Sequence, residues 1–95
     1  MSIKQGVPED HELLSLAEDM LVIWKKLGLA LGLKNSQLDE IEADHLRGVE
    51  RSYAMLRKWK ESRGSEASYE RLAQGLDHKA VSRHDLIEAY CQEKG

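Results

Sequence analysis

Apolar residues recur at helical spacing along nearly the whole chain, and this periodicity constrains the fold more than any other feature. For example, Met55, Leu56 and Trp59 fall on one side of a helix at about 100° per residue. No segment alternates between apolar and polar residues over the length of a strand, and Pro8 is the only proline. The sequence therefore predicts an all-α fold built from short amphipathic helices.

The apolar pattern and the glycines divide the chain into six predicted helices. They span residues 9–19, 22–31, 37–45, 49–62, 66–76 and 83–92. Gly32 and Gly64 are predicted to end the second and the fourth helix. Serines are predicted to cap the third, fifth and sixth helices, at Ser36, Ser65 and Ser82. Residues 1–8 are expected to be a flexible leader, so the domain proper occupies residues 9–93.

The composition bounds what this domain can be. A length of 95 residues fits one domain with one modest core. The longest apolar run, Met20 to Trp24, has five residues, far short of the roughly 20 that a membrane span needs. The single cysteine, Cys91, cannot form an internal disulfide, which favours a reducing, cytoplasmic compartment.

Residue types that carry chemistry are present, but their spacing does not form a site. The four histidines are never four residues apart, and structural zinc needs four close ligands. His84 and Cys91 could share a helix face, but a nucleophile also needs activation and an oxyanion site. No glycine-rich phosphate loop exists. We expect a protein that is not an enzyme and that needs neither a metal nor a cofactor.

A set of short motifs follows a fixed order along the predicted helices. The residues are Trp24, Leu27, Leu31, Gly32 and Leu33, then Leu38, Ile41 and Glu42, then Met55, Leu56 and Trp59, and finally Gly64 and Ala67. In this order and spacing, they resemble the death domain. The chain departs from that family at Gly28, where alanine is usual, and at Leu29, where a charged residue is common.

The resemblance implies a six-helix antiparallel bundle of Greek-key topology. It also implies a non-catalytic module that binds other death domains in cytosolic signalling of the apoptotic or inflammatory type.

The charges suggest where such binding would occur. The third helix is acidic and the fourth is basic, so the two helices carry charges of opposite sign. Opposite patches on different surfaces suit head-to-tail association, and we expect a weak homo-oligomer of this kind. Leu29 is expected to be exposed and is a further contact candidate. The candidate interaction residues are Asp39, Glu40, Asp44, Arg57, Lys58, Arg63 and Leu29.

Two other functions fit parts of the pattern. The basic fourth helix, with Tyr53 and Trp59, could serve a nucleic-acid-binding helical bundle. The net charge of −3 and the inward position of Trp59 argue against it, so we expect neither nucleic acid nor membrane as a partner. The other alternative is an autoinhibitory domain that docks within its parent protein.

Overall fold

A computed structural model describes residues 2–93, which form six α-helices joined by short turns. The helices are α1 (Asp10–Asp19), α2 (Trp24–Ala30), α3 (Asn35–Asp44), α4 (Gly48–Arg63), α5 (Tyr69–Asp77) and α6 (His84–Tyr90). A short 3-10 turn, Gly64–Glu66, lies between α4 and α5. The fold is the six-helix antiparallel bundle of Greek-key topology that the sequence predicted.

Helix α4 is the longest helix and lies at the centre of the bundle, in contact with α1, α2 and α3. Its inner face buries Met55, Leu56 and Trp59 completely, as the periodicity predicted. Val49, near the start of the helix, is only half-buried. The fully buried leucines of the other helices close the core around this face: Leu13, Leu16, Leu27, Leu31, Leu38, Leu72 and Leu76.

Glycines end two helices where the sequence predicted them to. Gly32 has a φ of 94°, and beyond it the Leu33 N–H donates to the Gly28 carbonyl at 2.9 Å. Gly64 has a φ of 56° and follows the last residue of α4. Both backbone conformations lie in the left-handed region, which a residue without Cβ adopts at little cost.

The three predicted serine caps are wrong. Ser36 lies inside α3, which begins earlier, and the Gln37 side chain accepts the Lys34 N–H at 2.9 Å. The cap of α5 is Ser68, whose Oγ accepts the Arg71 N–H at 3.1 Å, because the 3-10 turn delays the start of that helix. Helix α6 begins after Arg83, and the serine before it, Ser82, has a φ of 49° and donates to the Lys79 carbonyl.

The two ends of the described chain lie together. The Lys4 N–H donates to the Cys91 carbonyl at 2.8 Å, and the Glu93 N–H donates to the Ser2 carbonyl at 2.9 Å. Pro8 is fully buried. Residues 1–8 were predicted to be a flexible leader. Met1 lies outside the described residues, and the structure places residues 2–8 in contact with the bundle.

Candidate protein-interaction surfaces

The acidic face of α3 is partly neutralised within the chain. Lys25 Nζ lies 3.1 Å from Asp39 Oδ1 and 3.1 Å from Glu42 Oε1. The hydrogen bonds to Glu42 and Asp39 raise the pKa of Lys25. Glu40 and Asp44 are exposed and form no ion pair with any described residue. Of the three acidic candidates, these two are therefore the ones that no described residue neutralises.

The basic face of α4 is also partly neutralised, by a carboxylate at the start of α1. Asp10 pairs with Arg57 and with Lys60, the latter at 2.9 Å. The hydrogen bond from Lys60 and the nearby charge of Arg57 lower the pKa of Asp10, although burial opposes them. Lys58 is exposed and forms no ion pair within residues 2–93. Arg57 and Lys58, two neighbouring candidates, therefore differ in that Arg57 has an ion-pair partner within the described residues and Lys58 has none.

Arg63, the third basic candidate, lies at the edge of a cleft rather than on an open helix face. It donates from an Nη to the Gly32 carbonyl at 2.8 Å, and Arg71 likewise donates to the Ala30 carbonyl at 2.9 Å. The two guanidinium groups are thereby held at the C-terminal end of α2. The cleft has a volume of about 450 Å³. We call it the arginine cleft, and it is lined by Leu31, Gly32, Trp59, Arg63, Glu66, Ser68 and Arg71.

Large exposed apolar side chains occur in three places, and one of them is Leu14 on α1, which is 45% exposed. Leu29 on α2 is 46% exposed, in agreement with the outward position expected for it. The larger group was not predicted and lies where the α1–α2 turn meets the α3–α4 joint. Val22 is 94% exposed and Leu46 is 89% exposed. The two segments are close in space, since a Cβ placed on Gly48 would lie only 3.6 Å from Leu21 Cδ2. We call Leu21, Val22, Asp44 and Leu46 the joint surface.

Glu12 is a half-buried carboxylate that makes polar contacts with the N-terminal segment and with α5. It accepts hydrogen bonds from the Tyr69 hydroxyl, from the Glu9 N–H at 3.1 Å and from Lys4 Nζ at 3.1 Å. Burial raises the pKa of Glu12, but these three hydrogen bonds outweigh it, so that the pKa is lowered. The cluster attaches the N-terminal segment to α1 and α5.

The chemistry-bearing side chains lie apart from these surfaces. Cys91 is fully buried, and burial raises the pKa of its thiol to about 11. Within residues 2–93, no three His, Cys, Asp or Glu side chains are grouped closely enough to hold a metal ion. Trp59 is fully buried, so its ring is not available to stack on a nucleotide base, whereas Tyr53, the other aromatic residue of that alternative, is half-buried.

None of the helices formed by residues 2–93 combines the length and the apolar character that crossing a bilayer requires.

Comparison with known proteins identifies the fold. A search among curated proteins finds no match. A family model described as Death domain matches residues 10–92, which is most of the chain and includes all six helices. Members of this family are non-catalytic modules that bind one another. The chain therefore belongs to the death-domain family.

Proposed function

We propose that this chain joins proteins by homotypic death-domain contacts in cytosolic signalling of the apoptotic or inflammatory type. Two oppositely charged surfaces on different parts of the bundle would make the contacts. The family supports the class of partner, and the charges support the surfaces. The contacts would form between copies of this chain or between it and another death domain.

The observation that carries this proposal is the uneven distribution of charge over the helices. Helix α3 contains four carboxylates and no basic residue. Lys25 pairs with two of the four, so Glu40 and Asp44 remain exposed and available. The end of α4 and the start of α5 instead present Lys58, Arg63 and Arg71.

Opposite charges on different surfaces favour a heterologous contact, in which the acidic surface of one copy meets the basic surface of the next. Such a contact leaves one acidic and one basic surface free at the ends, so association can continue into an array. Exposed charges mainly set the association rate and the dependence on salt, so the complex should be weak and should dissociate as salt rises.

The ion pairs within the chain change the rank of the candidate residues. Asp39 and Arg57 already have partners in the same molecule, so an intermolecular contact would have to replace an existing pair. Glu40, Asp44 and Lys58 have no such competitor among the described residues. We expect substitutions at these three positions to weaken association more than substitutions at Asp39 or Arg57.

Sedimentation velocity of the chain at low and at high salt tests the proposal. We expect association at low salt that is lost in Glu40→Lys with Asp44→Lys, and also in Lys58→Glu with Arg63→Glu. Lys79→Glu is the control, since Lys79 is an exposed lysine in the joint between α5 and α6. A parent chain that stays monomeric at low salt and high concentration would contradict self-association.

A mixture of the two charge-reversed variants separates a heterologous contact from a symmetric one. Each variant keeps the surface that the other lacks. The mixture should therefore form dimers but no longer arrays, whereas each variant alone stays monomeric. Long arrays in the mixture would show that another surface carries the contact.

A further inference from the structure

The arginine cleft has the properties of a binding site for a single carboxylate. Each guanidinium has five N–H donors, and the hydrogen bonds to the carbonyls of Gly32 and Ala30 use one from each. The remaining donors of Arg63 and Arg71 are on the wall of the same cleft. Guanidinium groups recognise carboxylates and phosphates in the same planar, two-bond geometry.

The other lining residues narrow the ligand class. Glu66 adds a negative charge to the lining, which disfavours a doubly charged phosphate more than a singly charged carboxylate. Leu31 and Trp59 also line the cleft but are 1% and 0% exposed, so the apolar surface open to a ligand is that of the methylene groups of the two arginines. A carboxylate presented next to an aliphatic side chain therefore matches the cleft.

The joint surface offers that combination, at the other end of the molecule. Asp44 is the last residue of α3, and Leu46 follows two residues later with 89% of its surface exposed. Both precede Gly48, the first residue of α4, whereas Arg63 is the last residue of that helix. Sixteen residues of α-helix are about 24 Å long, so Asp44 cannot reach the cleft of its own molecule.

We propose that the arginine cleft of one copy receives the α3–α4 joint of a second copy. The Asp44 carboxylate binds between Arg63 and Arg71, and the Leu46 side chain packs against the methylene groups of the two arginines. This inference rests on the proposed homotypic function and names the contact that performs it. Because the cleft and the joint are at opposite ends of α4, the same contact can repeat from one copy to the next and build an array in one direction.

Two single substitutions test the two sides of the contact. Leu46→Ser changes a side chain that makes almost no contact within the fold, so it should leave the melting temperature unchanged. Its self-association should weaken about tenfold, since the apolar contact is lost. Arg71→Gln should weaken association by a similar factor or more through the loss of a charged hydrogen-bond donor. Lys79→Gln is the control for loss of one positive charge outside the cleft.

A third substitution should strengthen the contact. Glu66→Gln removes the only carboxylate from the lining of the cleft without touching either arginine. Association should then tighten a few-fold at low salt. If Arg71→Gln fails to fold, Glu66→Gln still tests the contact at the arginine cleft, because Glu66 is exposed and its substitution leaves the core intact.

NMR locates the contact independently of affinity. The indole N–H signal of Trp59, on the cleft wall, should shift as the concentration of the parent chain rises, whereas that of Trp24 should not. An equimolar mixture of Leu46→Ser and Arg71→Gln should give one-to-one dimers, since each retains one intact side.

The outcomes distinguish this inference from the proposed function. If the parent associates and Leu46→Ser, Arg71→Gln and Glu66→Gln all associate as Lys79→Gln does, the cleft contact is refuted while homotypic association stands. If the parent does not associate at all, both are refuted for copies of this chain.

Discussion

Replacing Gly28 with alanine places a methyl group into a close contact between α2 and its neighbours α3 and α4. A Cβ at this position would lie 2.6 Å from Leu38 Cδ2 and 3.1 Å from Met55 Cγ. Both neighbours are fully buried, so neither side chain can move away into solvent. Alanine improves helix propensity by about 1 kcal/mol, whereas overpacking a core costs about 1–3 kcal/mol. We therefore expect Gly28→Ala to lower the free energy of unfolding by about 1 kcal/mol.

Thermal unfolding followed by circular dichroism measures the effect. A loss of about 1 kcal/mol corresponds to a fall in Tm of about 4–8 °C for a domain of this size. Gly48→Ala is the matched control, because the nearest atom outside its own helix would be Leu21 Cδ2 at an ordinary 3.6 Å. That variant should be neutral or more stable than the parent. If Gly28→Ala melts at or above the parent temperature, the packing of α2 against α3 is looser than described.

A second substitution traces the loss to Leu38. In a Leu38→Ala background the methyl group of Gly28→Ala has room, so the double variant should lose less stability than the sum of the two single variants. Strict additivity would show that the clash is not the cause.

Three further predictions concern positions with different roles. Trp59→Ala should lower the free energy of unfolding by about 3–5 kcal/mol in denaturant titrations, because the ring is fully buried, and a loss below 1 kcal/mol would contradict its place in the core. Leu29→Lys should leave Tm within a degree or two of the parent, and a large fall would show that α2 is rotated. The lowered pKa of Glu12 means that its carboxylate stabilises the fold at pH values above 4.5, the ordinary pKa of a glutamate. This contribution disappears as the pH falls through the lowered pKa. In Glu12→Gln, the free energy of unfolding measured against pH should therefore fall less steeply below pH 4.5 than in the parent.

Helix faces were predictable because they depend on periodicity alone. The inner face of α4, formed by Met55, Leu56 and Trp59, is buried as expected. Helix starts were less predictable, because the residue at which a helix begins depends on backbone geometry and not only on the presence of a capping residue nearby. At the start of α5, the 3-10 turn moves the cap from Ser65 to Ser68.

The candidate surfaces were predictable only in outline, since pairing between distant residues decides which charges remain available. Arg57 pairs with Asp10 across 47 positions of sequence. Arg71 reaches the Ala30 carbonyl across 41 positions, and no local motif marks it as part of a cleft. The exposure of Leu46 likewise depends on how the α3–α4 joint leaves the bundle. A sequence identifies the sign of the charge on a helix, but not the partner that neutralises it.

The pairing of the two chain ends has a mechanical consequence. Ser2 and Glu93 are hydrogen-bonded to each other, with Lys4 and Cys91 paired next to them in antiparallel register. A tension applied between residues 2 and 93 would therefore load these hydrogen bonds one after another, as in opening a zip, rather than all at once. The terminal segments should detach at low force, and the helical bundle should unfold only at a higher force.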